Sequence, residues 1–257
     1  MRYYVVADIH SFYDEMVTAL KDKGFYEDKE PHKLIILGDL FDRGDQSVEM
    51  QNFVLDLMAK DMVILIRGNH EDLMMDLLNN AKYYFNSGIA VSHHWSNGTV
   101  KTAADLAGVD IYNTDYQQLA NKLAATPYIT KIIPAMLNYY ETEHYVFVHG
   151  WIPCDSLRKF TGKTYLKKEG WRESHNREWE DARWINGMEA YQCGVKEEGK
   201  TIVCGHWHCS WGHCYLEGDG PEFAKNSNFD PFIADGIIAL DACTGYSRRV
   251  NCVVLND

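Results

Sequence analysis

No apolar run in this 257-residue sequence approaches the length of a membrane span. The first apolar run, residues 3–7, ends at Asp8, which is too early for the apolar segment of a secretory signal peptide. We therefore expect a soluble, cytoplasmic protein with no membrane partner.

Positive charge is scarce in the sequence. It has 25 lysines and arginines against 37 aspartates and glutamates, a formal net charge of −12. Such a chain is a poor electrostatic partner for a nucleic-acid duplex or an anionic lipid surface. If the protein handles phosphorylated substrates, bound metal ions and a few arginines must supply the local positive charge.

Paired cysteines are also missing. The seven cysteines are an odd number, are scattered along the chain, and never have the Cys-x-x-Cys spacing of a zinc site. We expect free thiols in a reducing compartment rather than disulfides.

The sequence does contain a regular alternation of apolar runs and helical patterns in its first third. Apolar runs at 3–7, 33–37 and 62–66 predict buried strands. Each is followed by helical periodicity, at 12–20, at 47–59 and from about residue 69 onward. This alternation predicts a mostly parallel sheet whose functional groups lie at the carboxyl ends of its strands.

Strand patterns return in the second half of the chain, at 144–148 and 201–204. Two last strands are predicted at 237–240 and 250–255, and we expect them to form an antiparallel pair around a turn at Gly245.

Two stretches interrupt this regular pattern. Residues 80–140 are polar and aromatic with helical segments, and residues 151–199 are rich in tryptophan and in both charges. We interpret both as insertions in a single domain that spans residues 1–257.

Polar residues of one chemical kind follow the predicted strands. Carboxylate, imidazole and amide oxygen are ligands that suit Mn²⁺, Fe or Zn²⁺. Seven such residues are too many for one tetrahedral site and favour two divalent ions that share a bridging carboxylate. Asp39, on the middle strand of the first three, is the natural bridge. The seven candidates are Asp8, His10, Asp39, Asn69, His149, His206 and His208.

Five short motifs resemble those of the calcineurin-like metallophosphoesterases. The resemblance is greatest to the phosphoprotein-phosphatase branch, which also contains bacterial symmetrical diadenosine-tetraphosphate hydrolases. The last predicted strands, with the turn 240–245, also look like that family's carboxyl-terminal hairpin. The motifs are Asp8-x-His10, Gly38-Asp39-x-x-Asp42-Arg43-Gly44, Gly68-Asn69-His70-Glu71, Val148-His149-Gly150 and Gly205-His206.

The resemblance implies an α/β fold and a set of metal ligands. The fold is a four-layer α-β-β-α sandwich of two mixed sheets, with helical and Trp-rich insertions. Two divalent ions, expected to be Mn²⁺ with Fe or Zn²⁺ as alternatives, share Asp39. The first ion would be held by Asp8, His10 and Asp39, and the second by Asp39, Asn69, His149 and His206. His208 would add a ligand to the first ion, as in the wider superfamily.

The same resemblance implies roles in hydrolysis for the neighbouring residues. Arg43, with Asn69, would bind the phosphate oxygens through its planar guanidinium. His70 would protonate the leaving oxygen while Asp42 orients it. A hydroxide that bridges the metals would attack phosphorus in line.

Two residues depart from the family pattern or have a simpler interpretation. Ser11 stands where the family usually has glycine, which predicts a narrower site. Glu71 is most simply a first-turn acid that complements the helix dipole.

The motifs do not determine the substrate. We expect the choice of substrate to depend on the Trp-rich region, residues 151–199. Arginines and tryptophans there could recognise a substrate by stacking and charge. Alternatively, the tryptophans fill a small core and the arginines pair with Glu178, Glu180 and Asp181. The residues concerned are Trp171, Arg172, Arg177, Arg183 and Trp184.

Three hypotheses follow for function. The first is a metal-dependent phosphatase that acts on phosphoserine or phosphothreonine in proteins. The second is a hydrolase of diadenosine tetraphosphate or another nucleotide. The third, a non-catalytic scaffold that binds a protein partner, ranks last because such proteins typically lose ligands and this sequence retains them.

Overall fold

The computed structural model of the protein describes residues 1–87, 92–159 and 162–257. Short parts of the two predicted insertions, 88–91 and 160–161, thus lie outside the described residues. The described strands form a four-stranded sheet, a five-stranded sheet and a two-stranded hairpin. In chain order they are β1 Arg2–Val6, β2 His32–Ile36, β3 Val63–Leu65, β4 Tyr140–Glu141, β5 Tyr145–Phe147, β6 Cys154–Lys159, β7 Gly162–Lys167, β8 Thr201–Cys204, β9 Phe232–Ala234, β10 Ile237–Ala239 and β11 Cys252–Asn256.

Helices follow the strands and fill the region between β3 and β4. The chain also makes π turns at Tyr128–Ile132 and His213–Glu217 and a 3₁₀ turn at Trp171–Glu173. In chain order the helices are α1 Tyr13–Asp22, α2 Ser47–Ala59, α3 Asn69–Ser87, α4 Ser92–Asn97, α5 Thr99–Ala107, α6 Tyr116–Leu123, α7 Ile133–Ala135, α8 Asn176–Ala182, α9 Gly187–Gln192, α10 Cys209–Gly212 and α11 Thr244–Ser247.

Both large sheets are mixed. In the first, with the order β11-β1-β2-β3, the three early strands are parallel and β11 pairs with β1 in the antiparallel direction. In the second, with the order β4-β5-β8-β10-β9, the three central strands are parallel and both edge strands are antiparallel. The carboxyl ends of β1, β2, β3, β5 and β8 therefore supply the loops from which a site can be built.

The two sheets stack face to face because their strands are apolar on both sides. Alternate residues of a strand point to opposite faces. In β1, Val5 packs into the core between the sheets, while Tyr4 and Val6 pack toward the helices. The second sheet contributes Phe147 and Val203 to the same inner core.

Helices cover the outer face of each sheet and complete four layers. The helices α1, α2, α3, α5 and α6 pack on the first sheet. The outer face of the second sheet is covered by α8, α9 and the Trp-rich segment. The predicted α-β-β-α sandwich of two mixed sheets is confirmed.

The prediction of a carboxyl-terminal hairpin is wrong. Strand β10 pairs with β8 and β9 in the second sheet, whereas β11 crosses to the first sheet and pairs with β1. The turn near Gly245 contains α11 and connects two sheets rather than two neighbouring strands. Both strands are apolar, and periodicity does not tell which sheet an apolar strand joins.

Among the described residues, no helix has both the length and the apolar character needed to cross a bilayer.

Candidate functional site

Six of the seven predicted ligands come together where the two sheets meet. Asp8 and His10 follow β1, Asp39 follows β2 and Asn69 begins α3 directly after β3. The second sheet supplies His149 after β5 and His206 after β8. Asp8, His10, Asp39, Asn69 and His149 are buried, with at most 2% of each residue exposed.

Asp39 lies at the centre of this arrangement. Its Oδ1 accepts a hydrogen bond from the backbone N–H of His70 at 3.0 Å and lies 3.4 Å from Nε2 of His149. Its Oδ2 lies 3.7 Å from Nε2 of His10. Because each oxygen faces a different histidine, this carboxylate can bridge two cations.

Asn69 joins the two histidines of the second sheet. Its Oδ1 lies 2.8 Å from Nε2 of His149 and 3.0 Å from Nδ1 of His206. Three side chains from two sheets therefore point into one volume.

Backbone carbonyls orient two of the imidazoles. The Nδ1 of His10 donates to the carbonyl oxygen of Phe41 at 2.8 Å, and the Nδ1 of His149 donates to that of Leu37 at 2.6 Å. A carbonyl can only accept, so these bonds fix the tautomer and leave Nε2 with a free lone pair.

Titratable metal-ligating atoms gather here in two groups that share Asp39. One group is His10, Asp39 and His70, and the other is Asp39, His149 and His206; within each group, one ligand atom per residue lies within 4.8 Å of the others. Asp8 is in neither group, but its carboxylate accepts from the backbone N–H of His206 at 2.8 Å.

The electrostatics of the site favour bound cations. Burial, with Asp241 and Asp39 nearby, raises the pKa of Asp8 well above its ordinary value. Burial also lowers the pKa of His206 to about 3, so this imidazole is neutral, as a metal ligand must be. Within the described part of the chain, its buried Nε2 has no hydrogen-bond partner. Buried carboxylates beside neutral imidazoles and an unsatisfied nitrogen fit divalent metal ions.

A second arrangement adjoins the first and consists of His70, Asp42 and Arg43. The Nδ1 of His70 donates to Oδ2 of Asp42 at 2.7 Å, and its Nε2 lies 3.2 Å from Nη2 of Arg43. Burial acts to lower the pKa of His70, but the carboxylates of Asp39 and Asp42 outweigh it and raise the pKa above its ordinary value. The geometry places an imidazole whose pKa is raised beside a guanidinium that can bind an anion.

Two threonines that hold Asp42 carry no motif in the sequence. Thr99 Oγ1 donates to Oδ2 of Asp42 at 2.8 Å, and Thr102 Oγ1 accepts from the backbone N–H of Asp42 at 3.1 Å. Both threonines are buried on α5, within the predicted insertion 80–140. An inserted helix therefore supports the turn that carries Asp42 and Arg43.

Glu71 does more than complement a helix dipole. Its fully buried carboxylate accepts from the backbone N–H groups of Gly68 at 2.7 Å, Asp39 at 3.0 Å and Leu40 at 3.1 Å. It thus ties the loop after β2 to the loop after β3. The simple interpretation of Glu71 was incomplete because those two loops are 30 residues apart in sequence.

His208 and Asp241 lie at the edge of this site. The Nε2 of His208 lies 2.7 Å from Oε1 of Glu222, and its ring stacks on Trp207. Its role as a metal ligand stays a prediction. Burial raises the pKa of Asp241 to about 6. This carboxylate is close enough to raise the pKa of Asp8; it lies in the turn 240–245 that resembles the family's, but no role in the site was predicted for it.

The backbone of the site adopts left-handed conformations that are rare for residues with side chains. Such strained conformations persist only where the surrounding structure enforces them, and they cluster at functional sites. Ser11, in the place of the family's glycine, is one of them, and its hydroxyl lies 3.0 Å from that of Ser47. The residues of the site that have positive φ are Asp8, His10, Ser11, Asp39, Asp42, Arg43 and His206.

Three of the four tryptophans in the Trp-rich region belong to the core, as one of the two alternatives predicted for them. Trp171 and Trp179 are buried at 2% exposure, in the cluster that covers the second sheet. Arg172 pairs with Glu141 and Glu197, at 2.6 Å and 2.8 Å.

The other two arginines are also paired, but of the three only Arg177 has partners among the predicted Glu178, Glu180 and Asp181. Arg183 pairs with Asp72 at 2.7 Å, and Arg177 lies 3.7 Å from Glu180 and 3.6 Å from Asp181. Trp184 differs, since it is 51% exposed and sets its ring edge-to-face against His206 at 5.8 Å.

Residues 1–217 match the sequence model of a family described as calcineurin-like phosphoesterase. The chain is similar to asymmetrical bis(5'-nucleosyl)-tetraphosphatases of two bacilli. With that of Bacillus velezensis it shares 34% identity over 113 residues, 41% of each chain. With that of Bacillus subtilis it shares 28% identity over 167 residues, 63% of this chain and 62% of the relative. This chain therefore spans less than two thirds of the length of these relatives.

A solved structure shares the fold. The cold-active protein-tyrosine phosphatase of a psychrophilic Shewanella superposes with a TM-score of 0.52 at 16% identity. The superposition covers 100% of this chain and 75% of that one.

Proposed function

The chain belongs to the calcineurin-like phosphoesterase family, and from that premise we propose that it hydrolyses phosphoric esters or anhydrides at a two-metal centre. The observation that carries this proposal is the pair of ligand groups joined through Asp39. Such a shared carboxylate is the arrangement that two-metal phosphoryl-transfer sites require.

The proposed ligand sets are those that the motifs implied. Asp8, His10 and Asp39 would hold one ion, and Asn69, His149 and His206 would join Asp39 at the other. We propose Mn²⁺ for both ions, since the donor set combines carboxylate, amide oxygen and imidazole. When bound, the ions would supply a water nucleophile at neutral pH and neutralise charge that develops on phosphorus.

We propose that the remaining steps belong to side chains that lie beside the proposed metal ligands. Arg43 binds the non-bridging phosphate oxygens through its guanidinium. Because the Nδ1 of His70 is committed to Asp42, its Nε2 is the nitrogen that carries the transferable proton to the leaving oxygen. Asp42 keeps this ring in one orientation and favours its protonated form.

For the substrate we propose a dinucleoside polyphosphate. The names of the two bacillary relatives support this class. The exposed ring of Trp184, which contacts the candidate ligand His206, offers a surface on which a base can stack. A phosphoprotein is the second candidate, because His70, Asp42 and Arg43 form the complete set found in the phosphoprotein-phosphatase pattern.

A substrate panel tests the proposal. Purified protein loaded with Mn²⁺ is incubated with diadenosine tetraphosphate, a phosphoserine peptide and p-nitrophenyl phosphate, and products are identified by mass spectrometry. We expect cleavage of diadenosine tetraphosphate in preference to the peptide, and Asp39→Asn abolishes it. The reverse preference would favour the phosphoprotein substrate. No hydrolysis of any of the three compounds by a metal-loaded, folded protein would overturn the proposed activity and revive the scaffold hypothesis.

Two further proposals concern the whole chain. We propose that residues 1–257 form a single domain, because the strand β11 returns to the first sheet and closes it beside β1. We also propose a reducing, cytoplasmic location, which the seven free cysteines support.

A further inference from the structure

Three metal-ligating side chains that the proposed centre does not use meet between α3 and α4. Asp76 lies on α3, and His93 and His94 are neighbours on α4. The Nε2 of His94 lies 3.0 Å from Oδ2 of Asp76, and the Nε2 of His93 lies 3.8 Å from the same oxygen. Within this group, one ligand atom from each residue lies within 4.8 Å of the other two. Both rings thus face one carboxylate oxygen.

These separations suit a tetrahedral transition-metal site. With metal–nitrogen and metal–oxygen bonds of about 2.0–2.2 Å, neighbouring ligand atoms around Zn²⁺ lie about 3.4 Å apart. The two measured distances lie on either side of that value. Two imidazoles and one carboxylate are a common protein ligand set for Zn²⁺, with water in the open position.

The surroundings also suit an ion better than a protonated imidazole pair. The two ring centroids are only 3.8 Å apart, so two protonated rings would repel each other. His94 is fully buried, whereas Asp76 and His93 are partly exposed. Burial and the neighbouring His93 keep the pKa of His94 below its ordinary value. A single cation would interact favourably with both neutral rings and with the carboxylate.

We infer that Asp76, His93 and His94 form a separate binding site for one transition-metal ion of the Zn²⁺ type. The ion would fix α4 against α3 from one side, while the solvent-exposed edges of Asp76 and His93 provide its entry path.

This site has a direct structural connection to the turn that carries Asp42 and Arg43. Helix α4 leads through Gly98, at φ 89°, into Thr99. A Cβ at Gly98 would lie 2.5 Å from the backbone nitrogen of Arg43, so the segment packs tightly on that turn. Thr99 then donates to Asp42. An ion that holds α4 in place would hold the donor to Asp42 as well; this consequence rests on the proposed function, whereas the metal site itself does not.

Metal counting tests the site without reference to activity. Purified protein is dialysed against a small excess of free Zn²⁺, and bound zinc per chain is measured by elemental analysis. We expect three ions in the wild type and two in His93→Ala and Asp76→Asn, with at least about tenfold weaker binding of the third ion. His175→Ala, which changes an exposed histidine just before α8, should keep three ions and serves as the matched control.

A spectroscopic readout keeps the test interpretable if a variant is less stable. Added Co²⁺ should give tetrahedral visible absorption bands in Asp39→Asn, where the proposed centre is impaired, and His93→Ala in that background should remove them. Circular dichroism confirms that each variant is folded. An equal number of bound ions in the wild type and in folded His93→Ala and Asp76→Asn would overturn the inference, whatever the total. Absence of hydrolysis by wild-type protein that binds one ion more than these variants would count against the proposed function alone.

Discussion

At the scale of single residues, the candidate centre depends on side chains for which the motifs predicted no role in it. The motif residues include the proposed ligands and proton carrier, but hydrogen bonds from other side chains fix their orientation. Thr99 holds Asp42 from an inserted helix, and Glu71 joins two loops through three backbone N–H groups. The contributions of Thr99 and Glu71 can each be tested by substitutions that leave the proposed metal ligands unchanged.

Replacing Thr99 by valine should slow the proposed reaction without unfolding the protein. The substitution keeps the shape of the side chain but removes the hydroxyl that donates to Asp42. We expect kcat to fall about tenfold with a nearly unchanged KM, since a hydrogen bond to a charged group contributes about 1.5–3 kcal/mol. Steady-state kinetics with diadenosine tetraphosphate measures the change. Thr99→Ser keeps the hydroxyl and should retain most of the activity; equal losses in both variants would contradict the hydrogen-bond argument.

Replacing Glu71 by glutamine should destabilise the two loops. A glutamine offers one acceptor oxygen, and its NH₂ group would face a backbone N–H donor. Leaving a buried donor without an acceptor costs about 1–3 kcal/mol, and we expect the free energy of unfolding to fall by about that amount. Urea denaturation measures it, and the exposed Glu49→Gln on α2 is the control. An unchanged midpoint for Glu71→Gln would show that the three hydrogen bonds contribute nothing net.

At the scale of elements, ion pairs attach the Trp-rich segment to the second sheet. Arg172, in the 3₁₀ turn Trp171–Glu173, bridges Glu141 on β4 and Glu197 in the loop before β8. The hydrogen bond from Arg172, with a second from Lys200, lowers the pKa of Glu141 from 4.5 to about 2. The attachment therefore depends on pH.

The contribution of Glu141 to stability should be lost in acid. Its pKa is lower in the folded protein than in the unfolded chain, so its stabilisation is complete above pH 4.5 and disappears as the pH falls toward 2. We expect Glu141→Gln to lower the free energy of unfolding by about 1–2 kcal/mol at pH 7, after discounting for partial exposure. Urea denaturation at pH 7 and at pH 3 measures the difference between variant and wild type. A difference that does not shrink at pH 3 would rule out this ion pair as the cause.

The elements show how much of the fold the sequence could predict. Apolar runs that end in a polar turn located the first three strands to within about one residue, and β8 matches its predicted range of 201–204. Local periodicity contained that information. The partner of β11 depends on contacts between residues more than 200 positions apart, such as Val5 with Val253. Strand β10 pairs with β8 across 35 positions, as Ile237 does with Ile202, and periodicity encodes neither pairing.

The candidate site also has a part that the sequence could predict and a part that only the fold reveals. Motifs at strand ends predicted six ligands that the fold brings together, and the predicted family is confirmed by the match over residues 1–217. Thr99, Thr102 and Asp241 could not be predicted, because their importance comes only from which buried group they approach. A buried threonine that donates to a carboxylate has the same sequence pattern as one that packs in a core.

At the scale of the whole molecule, metal binding and folding should be linked. The six clustered candidate ligands come from both sheets, and an ion that binds only the folded chain stabilises it. We expect added Mn²⁺ to raise the unfolding temperature and EDTA to lower it. At an ion concentration of 100 times Kd the stabilisation is about 2.7 kcal/mol. Differential scanning calorimetry measures the shift, and Asp39→Asn should lose most of it. An equal shift in Asp39→Asn would place the stabilising ions elsewhere.

The division of the ligands between two sheets has a consequence for the newly made chain. Asp8, Asp39 and Asn69 are translated early, whereas His149 and His206 leave the ribosome after most of the chain has been made. The bridging position around Asp39 stays incomplete until the second sheet docks against the first. Full metal acquisition is therefore a late event in biogenesis, and a nascent chain that has folded only β1, β2 and β3 carries no finished reaction centre.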